Sequence, residues 1–297
     1  MQDHHHDHDA GLAHDFARLQ ASIAQRRRAL LWLAGAAGAT LLGCGGGGDD
    51  STTSSSGSGT TTTSGGSTGG TGTTTGTGTS TSCSLIPEET AGPYPGDGSN
   101  SNTSGVVNAL ALSGIVRSDI RSSIAGASGT AEGVPTTVKI QLVNTNGSCA
   151  ELSGYAIYLW HCTRDGKYSL YSSGVTGENY LRGVQETDSD GVATFTTIFP
   201  GCYSGRMPHM HFEVYRSLST ALSYTNKLRT SQIAFPTDVC STVYASATGY
   251  SASVANFAAI SFSSDNVFSD GYSTQLATVS GDVAGGYSAT LQVGISV

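Results

Sequence analysis

Charge is scarce in this chain. Only 12% of its 297 residues are Asp, Glu, Lys or Arg, and the formal net charge is −8. A weakly charged, acidic chain has no basic patch with which to neutralise phosphates, so nucleic acid is excluded as a partner. No two cysteines stand in the Cys-x-x-Cys spacing that structural zinc sites favour. The apolar run "ALLWLAGAAGATLLG" (29–43) is too short to span a bilayer comfortably. After it, no long stretch keeps the 3.6-residue period of an amphipathic helix. Glycine, in contrast, is plentiful at 40 residues. Together with the low charge it points to a loop-rich, secreted-type β protein.

The N-terminus reads as a leader. Residues 26–28 are "RRR", followed by the apolar run and small residues before Cys44. A positive patch, a short apolar stretch and a small-residue cut site make a secretory signal. "LLGC" (41–44) resembles a bacterial lipobox, which implies cleavage before Cys44 and lipid on its thiol. A plain signal peptide cut elsewhere is the alternative. The arginine run in a long leading region points to the twin-arginine route. Residues 1–43 are therefore expected to be a signal peptide of an exported protein, facing the periplasm or the extracellular side. Its contact with the membrane would come only through the lipid anchor. The leader carries four basic and four acidic residues, so its removal leaves the charge at −8. It also removes the "HHHDH" cluster (4–8), to which no function is given.

Residues 44–82 are almost wholly Gly, Ser and Thr after Cys44. Such a segment cannot bury enough apolar surface to offset its ordering entropy, and it is expected to be a flexible tether. The folded part, 83–297, suits one domain. Its apolar residues recur with period two. Val138, Ile140 and Leu142 alternate with Lys139 and Gln141, and Ala289, Leu291, Val293 and Ile295 alternate with Thr290, Gln292 and Gly294. "YAIYLW" (155–160), "VATFTTIF" (192–199) and "HMHFEVY" (209–215) are further strand candidates. Alternation between Gly-, Ser- and Asn-rich turns predicts an all-β domain, a single β-sandwich. In an oxidising compartment cysteines pair, although spacing does not give connectivity. The pairs expected are Cys149 with Cys162 and Cys202 with Cys240.

Three histidines follow the leader: His161, His209 and His211. On a strand, residues i and i+2 project from the same face, so His209 and His211 can reach one point. By itself that pattern is a middling signal for a metal, since histidine is also a common surface residue. A three-histidine site would require His161 to converge on them. Two tyrosines stand out by context. Tyr168 follows a turn built by Asp165 and Gly166. Tyr203 sits in "FPGCYSGRMPHMH" (199–211), a Gly- and Pro-containing loop able to fold back on the histidine strand.

At these residues the chain resembles the intradiol ring-cleavage dioxygenases, the family of protocatechuate 3,4-dioxygenase and catechol 1,2-dioxygenase. The matching stretches are "PEETAGPYP" (87–95), "VRSDIR" (116–121), "YLWHCTRDGKYS" (158–169), "LRGVQETDSDGVATFTTIFPGCYSGRMPHMHFEV" (181–214) and "TSQIAFPTDV" (230–239). The resemblance implies a mononuclear non-haem Fe(III) held by Tyr168, Tyr203, His209 and His211. Hard anionic phenolate oxygens suit ferric iron, whose charge would ionise phenols that otherwise titrate near pH 10. It further implies that a catechol-type substrate is opened between its hydroxyls with O2, giving a cis,cis-muconate-type product. Tyr203 would double as the acceptor of a substrate proton.

Three more residues carry roles by the same resemblance. Arg206 matches the family's active-site arginine, catalytic and substrate-binding, whose charge can stabilise anionic species; a surface arginine in a loop is the alternative. Gln232 matches a catalytic glutamine able to orient what is bound. Tyr94 in "GPYP" either lines the substrate pocket or packs behind it. His161 is read as support or core. "DSDG" (188–191) lacks the later ligands of a calcium loop and reads as a turn. There are departures too. Cys202 stands where related sequences often carry Trp, and no helical N-terminal extension is seen, which leaves the oligomeric state open, a homo-oligomer included. Export would bring the chain to external phenolic compounds. The rival readings are a non-enzymatic extracytoplasmic sandwich binding iron or a catechol ligand, and a metal-free surface adhesion module.

Overall fold

The period-two segments become the strands of two packed sheets in the computed structural model, which describes residues 83–297. The signal peptide expected over 1–43, the lipidation site Cys44 and the tether expected over 44–82 lie outside the described residues. Eleven strands follow in order: β1 (Asp97–Asn102), β2 (Gly105–Asn108), β3 (Pro135–Asn144), β4 (Ala150–Glu151), β5 (Ala156–Trp160), β6 (Arg182–Glu186), β7 (Val192–Ile198), β8 (His209–Tyr215), β9 (Lys227–Ala234), β10 (Thr278–Asp282) and β11 (Gly286–Ile295). β1 and β2 form a separate hairpin.

The first sheet has β3 at its centre. β11 pairs with one side of it in parallel, with Leu291 opposite Ile140, and β10 flanks β11. β7 and the short β4 pair with the other side, both antiparallel. The second sheet is antiparallel throughout, in the order β6–β5–β8–β9. The alternation along each strand sends one set of side chains between the sheets. Val138, Ile140, Leu142, Phe195, Leu291 and Val293 from the first meet Ile157, Leu159, Met210, Phe212, Val214 and Ile233 from the second. Each such side chain contributes roughly 1.5–3 kcal/mol by leaving water. The turn at Asp188 is closed by its own carboxylate, which accepts from the backbone N–H groups of Asp190 and Val192 at 2.9 Å each.

The second sheet is covered on both faces, and this positions the site. Every residue of β8 is buried. Met210, Phe212 and Val214 face the core between the sheets. On the other face Tyr215 joins Ala156, Tyr158 and Trp160 of β5 in a second apolar cluster, completed by Leu110, Ile115, Tyr168 and Ala221 from loops. His209 and His211 share that loop-covered face by the strand's alternation.

Two short helices were not foreseen: α1 (Thr237–Ser246) and α2 (Ser251–Ala258). α1 begins directly after Pro236 and buries Cys240, Val243 and Tyr244, spaced as one helical face. Ten and eight residues are too few for a periodic pattern to stand out from the surrounding alternation. Among the described residues no helix is long and apolar enough to cross a membrane.

The disulfide expectation is corrected. Cys149 pairs with Cys83, whereas Cys162, Cys202 and Cys240 are buried free thiols, so neither Cys149–Cys162 nor Cys202–Cys240 forms. The reason is topological. The segment after Cys83 runs beside the end of β11, where Ile86 N–H donates to the Gly294 carbonyl at 2.8 Å. The end of β11 lies against that of β3, whose turn carries Cys149. Cys162 instead points at the Gly201 carbonyl and Cys202 at the Arg206 carbonyl, both inside the fold. The bridge closes a loop with a sequence separation of 66. Cys83→Ser is therefore expected to lower unfolding stability by about 2–4 kcal/mol in urea titrations. Non-reducing peptide mapping should recover the 83–149 linkage and no linkage between Cys149 and Cys162.

Candidate metal centre

β8 brings the two imidazoles together. The Nε2 atoms of His209 and His211 stand 3.1 Å apart. His209 Nδ1 lies 2.6 Å from the Met207 carbonyl. A carbonyl only accepts, so Nδ1 carries the proton and Nε2 of the neutral ring is left as a lone pair. The His211 ring is held flat. Trp160, its direct partner on β5, stacks on it at 5.0 Å with only 4° between the planes. Gly92 approaches the same ring: a Cβ at that position would sit 3.4 Å from His211 Cε1, and φ is +69°. The positive φ favours glycine there.

The tyrosines arrive from two loops that are tied to each other. Thr163 builds the turn before Tyr168: its carbonyl accepts from Gly166 N–H at 2.9 Å and its hydroxyl from Lys167 N–H at 2.9 Å. The same carbonyl accepts from Gly201 N–H at 3.1 Å, which anchors the loop carrying Tyr203. Gly166 has φ +82° and faces Tyr203, whose Cβ would stand 3.1 Å from any Cβ added there. Tyr203 Oη reaches His209 Nε2 at 3.1 Å. The Tyr168 ring lies 5.8 Å from that of Tyr203 and 6.3 Å from that of His211. Its hydroxyl is buried and makes no well-directed hydrogen bond.

Burial sets the protonation of this cluster. Desolvation drives both histidines well below their ordinary value, with the Arg206 charge adding to the effect. For His211 the Thr90 carbonyl pulls the other way without outweighing burial. The same desolvation pushes Tyr203 up to about 12 and Tyr168 well above 10, and for Tyr168 the neighbouring Tyr203 adds to it. The protein alone thus presents neutral imidazoles and neutral phenols.

Arg206 is buried and is no surface residue, with 4% of its surface exposed. Its Nη2 donates to Gln232 Oε1 at 2.6 Å and its Nε to Asp265 at 3.0 Å. Gln232 is on β9 opposite His211, and its Nε2 donates to the Thr90 carbonyl at 3.0 Å. Gln232 therefore orients Arg206 and the segment over the site. Tyr94 packs its ring 5.0 Å from Tyr168. His161 does not converge on the other histidines. Its Nδ1 donates to the Cys162 carbonyl at 2.8 Å and its Nε2 accepts from the Thr197 hydroxyl at 2.6 Å, which leaves no ring nitrogen for a ligand. Sequence reasoning missed Trp160 and Asp265. Trp160 was within reach, because the register of "YAIYLW" against "HMHFEVY" faces it to His211; Asp265 carries no local signal.

The donor set fits a metal ion. Two imidazole nitrogens, one of them carrying a free lone pair, and a phenol oxygen lie at 3.1 Å steps, and a second buried phenol beside them makes no well-directed hydrogen bond. Among the described residues no three His, Cys, Asp or Glu side chains could hold a metal by themselves. The anionic oxygens here would have to come from tyrosine, a choice that suits a hard trivalent ion better than zinc.

A family model described as Dioxygenase matches residues 117–266. No curated protein matches the chain. Its fold is similar to that of an intradiol ring-cleavage dioxygenase from Tetranychus urticae, with a TM-score of 0.54 and 22% identity over 72% of this chain and 95% of that one. A second dioxygenase crystal structure gives a TM-score of 0.53 and 23% identity, again over 72% and 95%.

The segment over the site also carries Glu89, fixed by its N–H to the Thr230 carbonyl at 2.8 Å. Partial burial, with the charges of Asp270, Asp265 and Glu88, raises its carboxyl from 4.5 to about 7, although Arg206 opposes the shift. Here the folded value exceeds the unfolded one. Stability is therefore lost as pH rises from about 4.5 through 7, while the unfolded chain ionises first. Glu89→Gln removes that loss. Thermal unfolding should show the variant more stable than wild type at pH 8, with the difference vanishing near pH 4. A difference that is the same at both ends would contradict this assignment.

Proposed function

The chain belongs to the intradiol ring-cleavage dioxygenases, and from that premise we propose that it opens a catechol between its two hydroxyls at a ferric centre held by Tyr168, Tyr203, His209 and His211. The observation that carries the reading is the meeting of His209 Nε2, His211 Nε2 and Tyr203 Oη at 3.1 Å steps beside the buried Tyr168 hydroxyl, on the loop-covered face of the second sheet. When bound, ferric iron would supply the Lewis acidity that holds a catechol as its anion and renders a ring carbon reactive toward dioxygen. The product would be a cis,cis-muconate-type dicarboxylic acid.

The chain's own residues do the rest. Tyr203 is half-buried while Tyr168 is fully buried. Tyr203 is therefore the phenol with room to move, and as the phenolate that a bound ferric ion would create, its Oη would take the proton of an incoming catechol hydroxyl. Tyr168 is locked by the Thr163 turn and the Tyr94 ring and stays in place. Trp160 keeps the His211 ring in one plane. Arg206 brings a fixed positive charge beside the cluster, where the surrounding low dielectric makes it count against the negative charge that develops on the opening ring. The leader and tether read in residues 1–82 support an exported enzyme, anchored through Cys44, that meets external phenolic compounds.

Purified protein loaded with ferric iron is expected to be purple-red from phenolate-to-iron charge transfer and to consume O2 on addition of catechols in an oxygen electrode. Tyr168→Phe should lose most of the colour intensity and at least about 100-fold in kcat, the scale on which losing an essential catalytic interaction acts. Normal turnover by that variant would remove Tyr168 from the ligand set. An iron-loaded, coloured protein that consumed no O2 with any catechol would leave only binding.

A further inference from the structure

We propose that Asp265 is the positioning residue for Arg206, holding the guanidinium in the orientation that turns its charge on the site. The proposal rests on the functional reading above. Asp265 lies between α2 and β10, outside every motif read from the sequence, yet it is fully buried. Its carboxylate is used at both ends. Oδ2 accepts from Arg206 Nε at 3.0 Å and from the Met207 N–H at 2.7 Å. Oδ1 accepts from the N–H groups of Val267 and Phe268 at 2.8 and 3.1 Å. Four donors converging from two chain segments leave the carboxylate no free rotation.

The guanidinium is consequently gripped from several sides. Asp265 takes Nε, Gln232 takes Nη2, and the Phe268 ring lies 5.7 Å below the guanidinium carbon. The segment fixed by Oδ1 is the one that carries Phe268, so a single carboxylate sets both the edge and the face of the arginine. Met207, pinned by Oδ2, supplies the carbonyl that sets the His209 tautomer. A buried ion pair is weak evidence for net stability, because desolving two ions costs about what their attraction returns. Fixed direction is the advantage that remains, and a planar fork held at two positions offers it.

A double-mutant cycle on the iron-loaded full chain tests the proposal, with Asp265→Asn, Arg206→Gln and both together, each measured for kcat and KM on catechol and for Tm. Asp265→Asn is expected to lower kcat/KM about 10- to 100-fold, mainly through kcat, as misplacement of a charge by an ångström does. In the Arg206→Gln background the same change should cost less than about 2-fold, since little is left to position. In the melts, Asp265→Asn alone strands a buried charge and should lower Tm by about 10 °C, and the double variant should recover much of that loss. Losses that multiply in full, or wild-type kinetics in Asp265→Asn, would overturn the proposal. A chain that folds with Asp265→Asn only when Arg206→Gln accompanies it supports the pairing; one that folds in neither background marks a purely structural aspartate and overturns it. Wild-type protein that turned over no catechol would instead sink the functional reading. The melting temperatures would then still decide the pairing, equal losses in both backgrounds counting against it.

Discussion

Two imidazole nitrogens stand 3.1 Å apart in a dry interior, with a phenol oxygen at the same distance from one of them. One of those nitrogens is a lone pair, because its ring proton is already committed to a carbonyl. Lone pairs and phenols crowded away from water cost free energy unless something positive is placed among them. Burial has also driven the tyrosines up and the histidines down, so these four side chains by themselves present no anion at neutral pH. A trivalent cation reverses that balance by ionising the phenols, which is why the residue types and their dryness belong to one explanation.

The scaffold meets this constraint by burying the second sheet on both faces. One face of β8 supplies the core between the sheets, and the other carries His209 and His211 into a cluster roofed by loops. Rigidity comes from backbone register, which sets Trp160 opposite His211 and Gln232 on its other side. Asp265, Arg206 and Gln232 form a chain of donors and acceptors that ends on the Thr90 carbonyl, tying the roof to the charge beneath it.

Much of this could be read from the residues in order. Alternation in 138–142 and 289–295 showed β3 and β11, and one-residue spacing put His209 and His211 on a common face. Tyr168 and Tyr203 needed more: their loops meet through contacts such as that of Thr163 with Gly201, between positions far apart in the chain, which no local pattern encodes. The cysteines failed for the same reason. Cys149 finds Cys83 because the N-terminal segment lies along β11, a matter of tertiary pairing and not of spacing. α1 and α2 are too short to announce a period, and Asp265 has no signature at all, since its meaning comes from Arg206 arriving from 59 residues away. Residue chemistry is legible where a strand repeats it, and becomes invisible where loops must first be brought together.

The central claim is that four side chains enclose one ferric ion, and anomalous diffraction at the iron edge from crystals of the iron-loaded protein tests it most directly. The account predicts a single strong peak among Tyr168 Oη, Tyr203 Oη, His209 Nε2 and His211 Nε2. No peak there, or a peak held by other residues with either phenol turned away, would contradict it.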